Sequence, residues 1–293
     1  MQCQLCPRNC NALRTQDQGT GLCQMPEAPL LARAALHHWE EPPISGTRGS
    51  GTIFFSGCSL GCVFCQNEKI SHQNFGQPAS LERLGEICDQ LITQGAHNIN
   101  FVNPTHYAHV VKALLERHPI SVPVVWNSGG YDKVDTLSTL EGLVDIYLPD
   151  LKYLDGGTAA RYSGATNYPE IAKAAIREMV RQTGPCQFDG AGLLTRGVVI
   201  RHLILPGQVA QAKAVMDWVA GEFPPNTVLF SLMSQYTPWG ELAERYPEIN
   251  RRLRKGEMEN CQQYMENLSL PGFTQERTSA KEEYTPPFDL TGV

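Results

Sequence analysis

Short apolar runs alternate with longer segments of helical periodicity through the middle of the chain. Runs rich in β-branched and aromatic residues predict six strands, at residues 52–55, 98–102, 122–126, 144–148, 197–205 and 227–232. Between them, apolar residues recur at helical spacing and predict helices at 81–92, 106–117, 133–143, 169–182 and 209–223. Strands that alternate with helices favour a parallel sheet with helical crossovers.

Six strand–helix units fit either an open doubly wound sheet or an incomplete barrel. In both folds the functional residues gather at the carboxyl ends of the strands. The flanks differ from this core, and we expect three regions: a cysteine-rich N-terminal cap at 1–48, the core at 49–237, and a helical extension with a tail at 238–293. Within the extension the pattern predicts helices at 247–255 and 258–267.

Composition narrows the function classes. The 293 residues carry a net charge of −6, and no basic stripe that would indicate nucleic-acid binding is present. No run approaches the roughly 20 apolar residues of a membrane span, and the N-terminus has no apolar stretch typical of a signal peptide. We therefore expect a cytoplasmic protein, in which the 10 cysteines serve metal ligation or catalysis rather than disulfides.

Three of these cysteines form a loop directly after the first predicted strand. Cys58, Cys62 and Cys65 place three thiols within eight residues. Thiolates are soft ligands that suit iron–sulfur clusters, zinc or copper. A structural zinc site normally has a fourth ligand, whereas three cysteines on a four-iron cluster leave one iron open for a small molecule. A zinc knob or three core cysteines are the alternatives.

The C-x3-C-x2-C spacing, with the aromatic Phe64 before the last cysteine, resembles the signature of the radical S-adenosylmethionine (SAM) superfamily. The resemblance implies a partial (β/α)6 TIM-type barrel with a [4Fe–4S] cluster on Cys58, Cys62 and Cys65, and SAM on the open iron. It implies reductive SAM cleavage, a 5′-deoxyadenosyl radical that abstracts hydrogen, and an electron donor such as flavodoxin or ferredoxin. The cofactor performs the difficult chemistry, and the protein positions it.

Three further strand ends carry the resemblance, which is closest to the pyruvate formate-lyase activating-enzyme-like branch of unassigned substrate. Asp150 and Lys152 form a D-x-K motif, in which the ammonium would pair with the SAM carboxylate; an exposed ion pair is the alternative. Arg201 is a cation inside an apolar strand, where a buried charge needs a partner, and by resemblance it contacts SAM. His202 points to the opposite face and is expected to be a packed histidine.

The remaining strand ends are polar. Asn127 and Ser128 occupy the usual position of a ribose-contacting pair, although a plain turn is the alternative. After the second strand the activating enzymes carry Gly-Gly-Glu-Pro, whereas this chain has Asn103 and Thr105 as the candidate acceptors for the SAM amino group. Because it lacks the glutamate of this motif, the chain differs from the known activating enzymes.

His106 and His109 lie about one helical turn apart, a spacing that can chelate a metal. Because no third ligand is nearby in the sequence, we expect both side chains on a solvated helix face.

A second cysteine group precedes the core. Cys3, Cys6, Cys10 and Cys23 supply four thiols, enough to close a zinc site or to hold an additional iron–sulfur cluster. The resembling branch has a similar Cys-x-Leu-Cys-Pro-Arg-x-Cys start, which does not decide the metal. The sequence is compatible with two roles for this group, a structural cap and an electron-relay cluster.

Taken as a function, these features predict a radical SAM enzyme. Activation of a glycyl-radical enzyme competes with modification of another protein or of a small molecule. A zinc-stabilised binding module without catalysis is the alternative from another class.

Overall fold

A computed structural model describes residues 2–238, 242–275 and 286–293. Within these ranges the chain forms ten strands, which are β1 Leu30–His37, β2 Ser50–Phe55, β3 Gln77–Pro78, β4 Ile99–Val102, β5 Val124–Ser128, β6 Ile146–Pro149, β7 Gln187–Phe188, β8 Leu194–Leu203, β9 Leu229–Met233 and β10 Gly272–Thr274.

Ten α-helices are described in the same ranges. They are α1 Pro42–Ser45, α2 Glu68–Ser71, α3 Leu81–Thr93, α4 Ala108–Arg117, α5 Val134–Ser138, α6 Gly156–Ser163, α7 Tyr168–Thr183, α8 Val209–Glu222, α9 Leu242–Arg245 and α10 Lys255–Asn267. A 3₁₀ turn, Thr105–Tyr107, precedes α4. None of the helices in the described part of the chain combines the length and apolar character needed to cross a bilayer.

All strands belong to one sheet, in the order β10-β9-β8-β6-β5-β4-β2-β1-β3, with β7 paired to β8. The pairs from β2 through β4, β5, β6, β8 and β9 to β10 are parallel. β1 instead runs antiparallel to β2. The sheet is curved, because side chains from β4, β5 and β8 meet around a single residue, Glu40, on its inner face. The result is a partial TIM-type barrel.

Alternation along the strands divides the core into two parts. Outward-facing residues such as Trp126, Tyr147 and Ile200 pack in the large core that includes the helices. Inward-facing residues form a smaller cluster around Ile44 of α1 that fills one end of the barrel; its members are Ile44, Val125, Ile146, Leu148, Leu194 and Val199. The other end of the barrel is therefore left for polar side chains.

The prediction of a parallel α/β barrel is confirmed, and each of the six predicted strands is present. Ser80 caps α3 by accepting from the amide of Arg83, as its position indicates. Two helix predictions are wrong in extent. The helix predicted at 133–143 is the five-residue α5, and the helix predicted at 247–255 is absent, since α10 begins only at Lys255. β1, which lies within the expected cap, and α6 are additional elements.

Candidate functional site

The cysteine loop leaves the sheet at the carboxyl end of β2. Gly57 follows that strand with a φ of +85°, and a Cβ there would lie 2.3 Å from the Cγ of Met25. Only glycine tolerates both the left-handed conformation and the close approach of this side chain. The turn directs Cys58, Cys62 and Cys65 toward the inside of the molecule.

Hydrogen-bond donors surround two of the three thiols. The Leu60 amide and the Asn103 side-chain amide each lie 3.3 Å from the Cys58 Sγ. The Ser163 hydroxyl donates to the Cys62 Sγ at 2.9 Å. Donors of this kind stabilise negative charge on sulfur and are typical of thiolate metal sites.

Burial raises the pKa of the Cys62 thiol above its ordinary value and that of Cys65 to about 12, and each thiol is also raised by neighbouring cysteines. The three side chains are therefore close enough to interact electrostatically. A metal group must displace their protons on binding. No three His, Cys, Asp or Glu side chains in the described ranges gather as the ligands of a single ion would. A four-iron cluster bonds each thiolate through a different iron, so its ligands need not converge on one point.

A network of charged side chains lies beside the loop, inside the barrel. Asp150 follows β6 and accepts from Lys152 Nζ at 2.6 Å and from Arg201 Nε at 3.0 Å. Arg201 also donates to the Asn127 side-chain oxygen at 2.6 Å and to Glu40 at 3.3 Å. The structure thus brings together four residues predicted from three different strands, and adds Glu40.

Burial opposes ionisation of Asp150, but Lys152 and Arg201 outweigh burial and hold the pKa of Asp150 below its usual range. Burial raises the pKa of Glu40 despite the opposing charge of Arg201, and it raises that of Glu41 in the same way. Three carboxyl groups therefore share two cations in this network.

Glu40, Glu41, Asn127 and Arg201 of this network line a cavity with a volume of about 730 Å³. This size is typical of sites for small molecules. Its walls reach from the end of the cysteine loop, at Gln66 and Asn67, to Arg201 and Glu41. The Oε2 atom of Glu41 is buried without a hydrogen-bond partner in the described structure, so it can accept a hydrogen bond from a molecule in the cavity.

Thr105 and Ser128 lie in a separate buried network. Both hydroxyls donate to Asp132, at 2.7 and 2.5 Å respectively, and Trp126 donates to the same carboxylate at 3.4 Å. Burial raises the pKa of Asp132 above its ordinary value. Cofactor contacts by Thr105 and Ser128 remain predictions, and both hydroxyls already have a partner inside the protein.

Phe64 is buried and packs edge-on against Tyr162 and Tyr236. The packing fixes the backbone beside Cys65.

The burial of the histidines agrees with the prediction for His202 but not for His106. His202 is packed as expected, with its Nδ1 2.7 Å from the Leu151 carbonyl. The prediction of a solvated face for His106 and His109 is wrong for His106, which is fully buried in the 3₁₀ turn with its Nε2 2.7 Å from the Ser56 carbonyl. His109 is half-buried, and its ring nitrogens are buried.

The second cysteine group lies outside the barrel, next to the loop. Cys3, Cys6, Cys10 and Cys23 line one small cavity together with Ser59, which follows Cys58 directly. The two cysteine groups are thus neighbours in space although the sequence separates them.

Sequence reasoning missed Glu40, Glu41 and Ser163. Glu40 and Glu41 precede α1 in a segment without strand or helix periodicity, and Ser163 ends a helix that was expected to be a loop. Only the fold shows that these residues face the site.

A family model described as a 4Fe-4S single cluster domain matches residues 45–152, which include all three cysteines of the loop. An uncharacterized protein of Methanocaldococcus jannaschii is 29% identical over 278 residues, which cover 92% of this chain and 75% of that protein.

Two solved structures share the fold. SuiB of Streptococcus suis bound to S-adenosylmethionine has a TM-score of 0.53 at 15% identity, over 75% of this chain and 48% of SuiB. Methylornithine synthase (PylB) has a TM-score of 0.51 at 13% identity, over 75% of this chain and 63% of that chain. The chain spans about half the length of SuiB.

Proposed function

We propose that this chain, which has the fold of the radical SAM enzymes, binds a [4Fe–4S] cluster at Cys58, Cys62 and Cys65 and cleaves SAM reductively to start hydrogen abstraction. One observation carries the proposal: Gln66, which follows Cys65 of the three-thiol loop directly, lines the 730 Å³ cavity whose wall includes Arg201. A cluster site and a small-molecule site therefore adjoin.

The residues around the thiols fit a cluster. Leu60, Asn103 and Ser163 all donate hydrogen bonds to cysteine sulfur atoms of the loop. Such hydrogen bonds tune the potential of an iron–sulfur centre. When bound, the cluster and SAM supply the electron transfer that yields methionine and a 5′-deoxyadenosyl radical.

The chain's own contribution is to bind and orient SAM. Lys152 lies beside the cysteine loop, since a Cβ at Gly129 would lie 3.7 Å from the Lys152 Cε and 3.1 Å from the Leu60 Cδ1. Its ammonium is therefore positioned for a carboxylate bound at the loop. Asp150 holds both Lys152 and Arg201, which limits the orientations of the two cations. Asn127 accepts from Arg201 and lines the cavity, where its amide can reach a ribose hydroxyl.

The hydrogen donor in this proposal is a polypeptide. The cavity reaches from β2 to the edge strand β10, because Phe54 of β2 and Phe273 of β10 both line it, and an extended segment can enter there. A related fold supports the choice, since SuiB is described as bound to the precursor peptide SuiA. Activation of a glycyl-radical enzyme is one form of this reaction; the absence of Gly-Gly-Glu-Pro at Asn103 favours modification of another protein or peptide.

Anaerobic reconstitution with iron and sulfide tests the proposal. The reconstituted protein, given dithionite and SAM, is expected to form 5′-deoxyadenosine and methionine in equal amounts, measured by chromatography. A protein that takes up zinc in place of iron, and produces no 5′-deoxyadenosine, would instead be a zinc-stabilised binding module.

A further inference from the structure

We propose that the N-terminal cap is a second metal centre, in which the thiolates of Cys3, Cys6, Cys10 and Cys23 bind a soft metal and brace the neighbouring cysteine loop through Arg8. The group is an iron–sulfur cluster bonded by four thiolates, each through a different iron. A single zinc ion does not fit, because no three Cys, His, Asp or Glu side chains in the described ranges gather as the ligands of one ion would. This inference does not depend on SAM cleavage.

The backbone of the cap is folded around its thiols. The Cys3 amide donates to the Ala12 carbonyl at 2.8 Å, which closes the loop that carries Cys6 and Cys10. Asn9 and Asn11, on either side of Cys10, have φ values of 45° and 50°. Asparagine is among the few residues that adopt this left-handed conformation readily, and two such turns reverse the chain around Cys10.

The space among the thiols is reserved by a small residue. A Cβ at Gly21 would lie 3.2 Å from the Cys10 Sγ and 2.9 Å from the Ala12 Cβ. Cys3, Cys6, Cys10 and Cys23 all line one small cavity, so the four thiols form one group. A side chain larger than glycine at this position would enter that group.

Positive charge faces the group as well. Arg14 is only 2% exposed, and its NH2 nitrogen donates to the Cys23 Sγ at 3.5 Å. Arg8 lines the same cavity. Four thiolates on a metal carry a net negative charge, and the neighbouring guanidinium groups of Arg8 and Arg14 offset it.

Arg8 connects the cap to the cysteine loop and to α6. Its guanidinium donates to the carbonyls of Ser59 at 2.7 Å and of Ser163 at 3.0 Å, and also to that of Gly164 at 2.5 Å. The last two carbonyls belong to the C-terminal end of α6, where cations are favoured. Ser163 in turn donates to the Cys62 Sγ, so that one side chain of the cap positions the backbone on both sides of the loop.

The test removes the loop site and asks what metal is left. In a Cys58→Ala/Cys62→Ala/Cys65→Ala variant purified anaerobically, iron, acid-labile sulfide and zinc are measured by mass spectrometry and colorimetry. We expect iron with acid-labile sulfide to remain, and we expect its loss when Cys10→Ala is added. Zinc in place of iron and sulfide would contradict the cluster. A folded triple variant without bound metal, judged by circular dichroism, would overturn the proposal.

Three single variants keep the test decisive if the triple variant does not fold. Cys10→Ser in the otherwise native chain should lose the cap metal and keep the loop cluster, whereas Cys186→Ala, outside both groups, should lose neither. Arg8→Gln should retain the cap metal but release iron from the loop to a chelator severalfold faster. Unchanged metal content in Cys10→Ser, or unchanged iron release in Arg8→Gln, contradicts the ligand set or the bracing role respectively.

Discussion

Arg201 Nε lies 3.0 Å from the Asp150 Oδ1 inside the barrel, while Lys152 Nζ bonds the other oxygen of the same carboxylate at 2.6 Å. One carboxylate therefore holds two cations that come from different strand ends. These three side chains are largely shielded from water. Removing any one of them therefore leaves a charge without its partner, which destabilises the fold.

Removing Arg201 leaves buried carboxylates without their cation. We expect Arg201→Gln to lower the free energy of unfolding by about 3 kcal/mol, since a broken buried pair leaves an uncompensated charge. Asp150→Asn should also destabilise the protein, and the double variant should lose at least about 1 kcal/mol less than the sum of the two. Urea unfolding of the four proteins measures the coupling.

A surface pair is the control for that experiment. Arg177 bonds Glu222 on the outside of the molecule, and Arg177→Gln should change stability by less than about 1 kcal/mol. Equal losses in Arg177→Gln and Arg201→Gln would mean that the internal network has no special role.

The Ser163 hydroxyl should influence the redox potential of the loop cluster. It donates to the Cys62 Sγ at 2.9 Å, and this hydrogen bond is stronger when the sulfur carries more negative charge. We expect Ser163→Ala to make the potential more negative by roughly 40 mV, which corresponds to about 1 kcal/mol for one electron. A redox titration followed by electron paramagnetic resonance measures the shift.

Tyr153 provides the matched control, because its hydroxyl contacts the Ser163 hydroxyl at 3.0 Å rather than a cysteine sulfur. Tyr153→Phe should shift the potential less than Ser163→Ala does. The opposite order would show that Ser163 does not act on the sulfur directly.

His202 should make stability depend on pH. Burial lowers the pKa of His202 to about 4 from its ordinary value of 6.5, with Asp150 and Lys152 as the charged neighbours. Between these pH values the unfolded chain binds a proton that the folded protein excludes. The free energy of unfolding therefore falls as pH falls from about 6.5 to 4, by at most about 1.4 kcal/mol per pH unit from this residue.

His202→Asn removes the titration and keeps a donor for the Leu151 carbonyl. Its stability should vary less steeply than that of the native protein over the same pH range, as measured by urea midpoints. Identical slopes for the two proteins would rule out His202 as a source of the dependence.

How far the sequence predicts this site depends on how local each signal is. Cys58, Cys62 and Cys65 lie within eight residues, so the sequence alone predicts that their thiols are neighbours. Asp150 and Arg201 could be predicted as site residues because each is a charged residue within or directly after an apolar strand. Their pairing follows from the neighbouring positions of β6 and β8, which only the sheet order shows.

The residues that were missed lie where no periodic pattern exists. Glu40 reaches Asn100, Asn127 and Arg201 from the segment between β1 and α1. An acidic residue before a proline pair looks like a solvated loop, and its burial depends on the curvature of the whole sheet. His106 was mispredicted for a related reason, since the 3₁₀ turn before α4 directs it into the core.

We propose that the loop of Cys58, Cys62 and Cys65 holds the cluster at which the radical is made. The most direct measurement is the yield of 5′-deoxyadenosine from SAM and dithionite in anaerobically reconstituted Cys58→Ala, compared with the native protein and with Cys186→Ala. We predict formation by the native protein and by Cys186→Ala, and a loss of at least about 100-fold in Cys58→Ala, because a loop with two thiols cannot hold the cluster. Undiminished 5′-deoxyadenosine from Cys58→Ala would contradict the account.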